Sequence, residues 1–350
     1  MIAPVGRVAR LPGYQPGRSV DGAVKLSSNE DPHGPLAVAV DAASVAVATS
    51  AGLYPDHGAS VLRDALAASL GVPVESVAVG CGSVGLLQQL LLAFAEAGDE
   101  VLYPWPSFIA YPQFAELVGA LRVEVPLQSW TADVDALLAA VTPATRLVLL
   151  ANPNNPTSSA VGTAALQRLV DGAGDRCLVV IDEAYREYVT DPDVGDAVKL
   201  FAGRPNVVVL RTFSKAHGLA ALRVGYLVGD PAVVQAVDAT LTPFAVNGVG
   251  QAAAMASLAA REVIAERARG VAAMRDDLVR ELHARGLYDV PASQGNFVWL
   301  PSADAAGLAA SLEGEGIVTR PLGTGVRVTV GMPAENERFL SALDAVLARA

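Results

Sequence analysis

Two rhythms of apolar residues alternate along the middle of this chain. From about residue 59 to 250, stretches of helical period are separated by short apolar runs. Val61, Leu62, Leu66 and Leu70 fall on one helical face. Ser76–Val79 is predicted as a short strand, and Leu86–Phe94 as a strongly apolar helix. Val101–Tyr103 and Leu121–Val125 read as strands around a helix at about 107–119. Arg146–Ala151, Cys177–Asp182, Val207–Thr212 and Val224–Val228 read as further strands. Runs such as Leu147–Leu150 and Leu178–Ile181 are apolar at every position, the mark of strands covered on both faces in a parallel sheet. They are far too short to cross a bilayer. Strand and helix in alternation predict an α/β fold with a mostly parallel, doubly wound sheet.

The rhythm changes after about residue 250. A long helical stretch is predicted at about 250–286. Short strands follow near Asn296–Leu300 and Val326–Val330, with helices around 304–315 and 334–348. That pattern predicts a smaller α+β domain. Residues 1–35 are rich in Gly and Pro and carry little periodicity, so they read as an extended arm. The expected organisation is an arm at 1–35 joining the small domain, a large domain at 36–250 and a small C-terminal domain at 251–350.

Composition narrows the function classes. The 350 residues are long enough for two domains, and 52% hydrophobic against 17% charged residues describes a well-buried globule. A net charge of −11 argues against general nucleic-acid binding, which needs a basic face, while leaving room for a local positive pocket that draws small anions. Cys81 and Cys177 are far apart, and the four histidines lack ligand spacing, so no metal site is expected. Two thiols without a framework suit a reducing compartment. The first residues show no basic region followed by an apolar run, so no secretory signal is expected, and the cytoplasm is the expected location.

In open α/β sheets, ligands gather at the carboxyl ends of the strands, and the informative motifs all follow predicted strands. Gly80-Cys81-Gly82-Ser83-Val84-Gly85 follows the first strand and opens a helix, a geometry that suits an anion. It is also compatible with an ordinary strand-to-helix turn. Asn152-Pro153-Asn154-Asn155-Pro156-Thr157 is a stiff loop after Arg146–Ala151, and its amides could bond a ring oxygen. Asp182 ends an apolar strand, where a carboxylate is costly without a partner. A protonated ring nitrogen would serve as one, and so would the backbone of a helix start.

The strand beginning at Val207 leads into Thr212, Ser214 and Lys215, with Arg223 eight residues beyond the lysine. Lysine is rare here: Lys25, Lys199 and Lys215 are the only three among 25 basic residues. A lysine amine can lose its proton and attack an aldehyde; an arginine cannot. Two hydroxyls and a guanidinium nearby could hold a phosphate dianion.

Together these motifs resemble the fold-type I pyridoxal-phosphate aminotransferases, and within them the histidinol-phosphate aminotransferase subfamily, which also contains aromatic amino acid aminotransferases. The resemblance covers nearly the whole chain. It includes Leu26-Ser27-Ser28-Asn29-Glu30, Tyr54-Pro55-Asp56, the Asn-Pro loop, Asp182-Glu183-Ala184-Tyr185, Ser214-Lys215 and Val326-Arg327-Val328-Thr329-Val330-Gly331. It implies pyridoxal 5′-phosphate as cofactor and a Schiff base at Lys215. Asp182 would pair with the pyridine nitrogen, and Asn155 and Tyr185 would bond the ring hydroxyl. Phe108 would stack on the ring. Gly82, Ser83, Val84 through its backbone, Thr212, Ser214 and Arg223 would hold the phosphate end. Tyr54 would reach the phosphate of a neighbouring subunit, making a homodimer. Arg327 would clamp a substrate carboxylate, and Tyr14, Asn29 and Arg320 would border the substrate.

This chain departs from the subfamily pattern in three places. Val84-Gly85 stands where many histidinol-phosphate enzymes have an acidic pair, Asp31 replaces a common Asn, and Ser158 replaces a common Gly. The stretch Gly80–Gln89 looks more like the actinobacterial-type aromatic aminotransferases. The resemblance therefore implies transfer of an amino group from Phe, Tyr or Trp to 2-oxoglutarate. Histidinol phosphate is the alternative donor, and threonine-phosphate decarboxylation or a non-catalytic cofactor-binding regulator are remoter alternatives.

Overall fold

The structure is a computed structural model that describes residues 2–11, 13 and 17–349. Its centre is a seven-stranded sheet. In spatial order the strands are Val77–Cys81, Val224–Gly229, Val207–Thr212, Leu178–Asp182, Thr145–Ala151, Glu100–Trp105 and Leu121–Pro126. Only Val224–Gly229 runs against the other six. Successive residues of the central strands go to opposite faces, and both faces are buried. Val148, Leu150, Val179, Ile181, Val207 and Val209 pack on one side; Leu147, Leu149, Val180, Val208 and Leu210 pack on the other. Helices cover each face. Gly82–Phe94, Ala110–Val118 and Pro231–Thr240 lie on the second, and Ser60–Leu70 and Thr163–Ala173 on the first. This is the doubly wound sheet that continuous apolar runs predict.

The reversed strand decides where the site forms. The six parallel strands bring their carboxyl ends to one edge. Val224–Gly229 starts at that same edge, so Arg223, just ahead of it, stands beside residues that follow the other strands. Beyond the main sheet, Arg320–Pro321, Gly325–Thr329 and Phe297–Pro301 form a small antiparallel sheet. Val24–Lys25 pairs in parallel with Ile317–Val318.

Several expectations need correction. The helical stretch at 250–286 is two helices, Gly248–Ala259 and Arg261–Ala284, because Ala260 leaves helical geometry at φ −97°, ψ 25°. An Ala-rich sequence without Pro carries no local mark of that break. Val61 is not part of the buried face of its helix: it is 66% exposed, whereas Leu62 and Leu66 are buried. The helix Ala37–Ser50 was not anticipated. Its apolar residues surround the axis instead of forming a stripe: Ala39 and Ala46 are buried, and Val38, Val40, Val45 and Val47 are exposed. A helix apolar all round lacks the periodic signal by which a helix is recognised.

One buried cation ties the long helix to the rest. Arg275 is fully buried. Its Nη1 donates to the carbonyls of Tyr188 (2.8 Å) and Gly295 (3.3 Å), Nη2 to Thr190 Oγ1 (2.9 Å) and Nε to Asp276 Oδ1 (2.8 Å). Truncation would strand two carbonyls in the interior. We expect R275A to lose on the order of 3 kcal/mol of stability, seen as a lower denaturation midpoint. An unchanged midpoint would show that these bonds contribute little.

Candidate active site

A cavity of about 250 Å³ opens at the carboxyl edge of the main sheet. Its wall draws on every motif that sequence reasoning placed after a strand. Ser83, Val84, Phe108 and Asn155 line it from the large sheet's loops, as do Asp182, Tyr185, Thr212, Ser214, Lys215 and Arg223. Asn29 closes it from the N-terminal segment, and Arg320 and Arg327 close it from the small sheet. Tyr54 does not line it. That ring is 84% exposed and stacks on Phe244 at 4.7 Å between centroids. Tyr14 lies outside the described residues.

At one end the backbone forms an anion cradle. Gly82 has φ +72° and opens the helix Gly82–Phe94, so the first free N–H groups of that helix are presented near Ser83 and Val84. A Cβ at Gly82 would come within 2.5 Å of Arg223 Nη2, so the glycine is needed both for its φ and for this approach. Arg223 itself has φ +59°. Its Nη1 donates to the Ala220 carbonyl at 2.8 Å and to Ser214 Oγ at 3.4 Å. The Ser214 N–H donates to Thr212 Oγ1 at 3.1 Å, which fixes the turn after the strand. Cation, hydroxyls and helix N-terminus converge on one small volume, the arrangement that suits a phosphate.

Asp182 lies deeper and is buried. Oδ1 accepts from Ala184 N–H at 3.1 Å, so the residue does shape the following turn. Oδ2 accepts from the Tyr111 hydroxyl at 3.5 Å. Burial raises its pKa to about 6, against the opposing pull of these bonds and of Lys215. A cation at its cavity face would reverse that shift. Glu183, the next residue, is also buried but points into a separate ion network. Arg211 Nη2 donates to Glu183 Oε2 and to Asp196 Oδ1, both at 2.6 Å. The Glu183–Arg211 pair therefore ties the end of Asp182's own strand to the neighbouring strand Val207–Thr212 and is not bonded to Asp182.

Lys215 faces this carboxylate across the cavity. Its Nζ donates to the carbonyls of Asn29 (3.2 Å) and Ser28 (3.4 Å) and stands 5.6 Å from the centre of the Tyr185 ring. Burial lowers its pKa to about 7, and the positive charges of Arg327 and Arg223 add to the effect. The amine is thus largely neutral just above neutrality, where an ordinary lysine is almost wholly protonated.

The side of the cavity toward the small sheet is built by contacts between distant segments. The buried Asn29, with φ +52°, donates from Nδ2 to the Tyr185 hydroxyl at 3.0 Å. Its N–H donates to Thr329 Oγ1 at 2.9 Å. Arg327 Nη1 donates to Asn155 Oδ1 at 2.7 Å and Nη2 to the Ser27 carbonyl at 2.8 Å. Phe108 packs edge-on against Tyr111 at 5.7 Å. Ser28, Ile109 and Leu322 also line the cavity, and Tyr111 supports Asp182; sequence reasoning assigned none of these four a role. Only Tyr111 left a signal, since a hydroxyl on a buried apolar helix face needs a partner.

Because pKa governs amine reactivity, Lys215 is distinguishable in the cofactor-free protein. Limited acetylation at pH 8, followed by peptide mass spectrometry, should mark Lys215 well ahead of Lys25, which is held by Glu30 at 2.7 Å. The Lys215 rate should fall by half near pH 7. Uniform labelling of the three lysines would contradict the lowered pKa.

The family model described as aminotransferase class I and II matches residues 21–343. The aromatic amino acid aminotransferase of Thermobifida fusca is 52% identical over 337 residues, spanning 95% of this chain and 93% of the relative. That of Nocardia farcinica is 52% identical over 350 residues, spanning 98% and 97%. Among solved structures, histidinol-phosphate aminotransferase from Sinorhizobium meliloti, in complex with pyridoxal-5′-phosphate, superposes with a TM-score of 0.89 at 30% identity, covering 99% of this chain and 97% of that one. With a family match over most of its length and relatives at half identity, the chain belongs to the class I and II aminotransferases.

Proposed function

We propose that this aminotransferase binds pyridoxal 5′-phosphate and moves the amino group of an aromatic amino acid to 2-oxoglutarate. One observation carries the cofactor assignment. A buried carboxylate with a raised pKa and an amine with a lowered pKa face one cavity that ends in an anion cradle. Each shift is what the cofactor's own groups would use: a ring nitrogen cation for Asp182, an aldehyde for Lys215 and a phosphate for Ser83, Val84, Ser214 and Arg223. When bound, the cofactor supplies an aldehyde that condenses with amines and a cationic ring that accepts electron density.

The chain's own groups then have separable tasks. Asp182, held ionised by the ring cation, keeps that nitrogen protonated. Phe108 would cover a ring face, and Asn155 and Tyr185 would hold the ring hydroxyl. Lys215 would hold the aldehyde between turnovers, and its free amine would take the substrate's Cα proton as base and return one as acid. Arg327 holds the substrate carboxylate. Phe108, Ile109 and Leu322 give the cavity an apolar wall that suits an aromatic side chain. The names of the half-identical relatives support the same donor class.

Arg320 supports a second reading. It lines the cavity and would meet the phosphate of histidinol phosphate, the donor named for the solved relative at 30% identity. We also propose that the protein works as a homodimer with Tyr54 completing the neighbour's phosphate site. The exposed Leu53, Tyr54, Val38, Val45 and Val47 support that association.

Single half-reactions, followed through the absorbance of the bound cofactor, test these assignments. Phenylalanine and tyrosine should convert the cofactor to its amino form, and histidinol phosphate should not. The opposite order would move the enzyme to the second reading. K215A should retain cofactor non-covalently and lose turnover. D182N should lower the maximal rate at least about a hundredfold. Substantial transamination by K215A without an added amine would overturn the role of the lysine.

A further inference from the structure

The loop that carries Asn155 is bonded at two places, to the small sheet and to the segment 293–295 that leads into it, and only the first lies in the cavity. The first is the Arg327–Asn155 hydrogen bond. The second is Ser158, which is fully buried and has φ +62°. Its N–H donates to the Asn154 carbonyl at 2.8 Å, and its own carbonyl accepts from Gln294 N–H at 2.7 Å. Its hydroxyl lies 2.6 Å from Ser293 Oγ and accepts from Gly295 N–H at 2.8 Å. Ser293 Oγ donates to the Phe297 carbonyl at 2.7 Å. The directions form one consistent chain: Gly295 N–H to Ser158, Ser158 O–H to Ser293, and Ser293 O–H to Phe297.

A left-handed backbone penalises any residue with a Cβ, so φ alone gives no reason for serine at position 158. The hydroxyl is what a glycine would lack. Gly295 shows how tight the clasp is. A Cβ there would stand 2.9 Å from Ser158 Oγ and 2.8 Å from the Phe297 ring. Phe297 is the next link. Its ring packs edge-on against Tyr185 at 4.9 Å, and the Arg327 guanidinium sits over it at 5.6 Å. Ser158, Ser293 and Phe297 do not line the cavity, yet the two serines anchor the backbone of the residue whose ring touches two cavity residues.

We infer that Ser158 is a positioning residue: through Ser293 and Phe297 it sets the angle of the Arg327 guanidinium against Asn155, and so the affinity for a substrate carboxylate. This rests on the reading of Arg327 as the carboxylate clamp. Ser158 touches neither substrate nor cofactor. Its contribution is specific to ligands that carry a carboxylate, which a general packing role is not.

The test uses holoenzyme and two ligands that differ in that one group. 3-Phenylpropionate keeps the ring and carboxylate and lacks the amine. 2-Phenylethylamine keeps the ring and amine and lacks the carboxylate. Binding is read from the change in cofactor absorbance, and thermal midpoints are measured alongside. S158G suits the left-handed backbone and removes only the hydroxyl; S158A keeps the Cβ and serves as a second variant. We expect both to weaken 3-phenylpropionate about tenfold and to leave 2-phenylethylamine and the cofactor absorbance unchanged. Adding S158G to R327A should cause no further loss. The inference is overturned if S158G binds both ligands like the parent, if both ligands weaken equally, or if the losses in S158G and R327A add. R327A is measured by itself to separate the two levels. If it binds 3-phenylpropionate like the parent, the clamp reading fails first, and the inference falls with it whatever S158G does.

Discussion

The cavity depends on keeping a carboxylate and an amine on the same floor without letting them neutralise each other. Asp182 and Lys215 both lose solvation there, and burial moves their pKa values toward one another, to about 6 and about 7. Direct pairing would give each a partner and leave neither available. The structure holds them apart instead. Asp182 is engaged by Ala184 and Tyr111, and Lys215 by the carbonyls of Ser28 and Asn29. The penalty for two under-compensated groups is borne by the large buried sheet around them, whose central strands are covered on both faces. A site held in this way would need little rearrangement to receive a cation beside Asp182 and an aldehyde beside Lys215.

Positive charge is also arranged by distance. Arg223 and Arg327 both depress the Lys215 pKa, but neither is free to swing onto Asp182. Arg223 is held by the Ala220 carbonyl and Ser214, and Arg327 by Asn155 and the Ser27 carbonyl. Arg211, close behind Asp182 in the fold, is committed to Glu183 and Asp196. Planar guanidinium groups with several fixed donors suit such commitments; a flexible ammonium does not. Of the three lysines, Lys215 alone lines the cavity, where losing a proton is useful.

Much of this frame was legible in the chain because it is local. Val207–Thr212 was predicted to the residue, since three successive valines and a leucine make a short apolar run that favours a strand. The motifs after each strand pointed to one edge because parallel strands share one, and the cavity forms there. The antiparallel strand Val224–Gly229 was predicted as a strand, but its direction was not visible, and that direction is why Arg223 reaches Ser214. The helix Ala37–Ser50 was hidden because its apolar residues have no preferred side. The break at Ala260 was hidden because alanine leaves no mark on either side of it.

The contacts that stayed illegible share a physical cause: each joins segments more than a hundred residues apart. Asn29 to Tyr185, Asn29 to Thr329, Arg327 to Asn155 and Ser158 to Ser293 all have this form. Periodicity reports what one element does with its own faces and carries no information about which remote element fills the gap. Asn29–Tyr185 and Arg327–Asn155 tie the edge of the large sheet to the N-terminal segment and to the small sheet, Asn29–Thr329 ties those two to each other, and Ser158–Ser293 reaches the segment just ahead of Phe297–Pro301. The main sheet fixes Asp182, Lys215 and the anion cradle by local backbone geometry. The groups on the opposite side of the cavity, Asn29 and Arg327, are placed by bonds between segments remote in sequence. Local backbone geometry and long-range bonds thus place the two sides of the cavity separately.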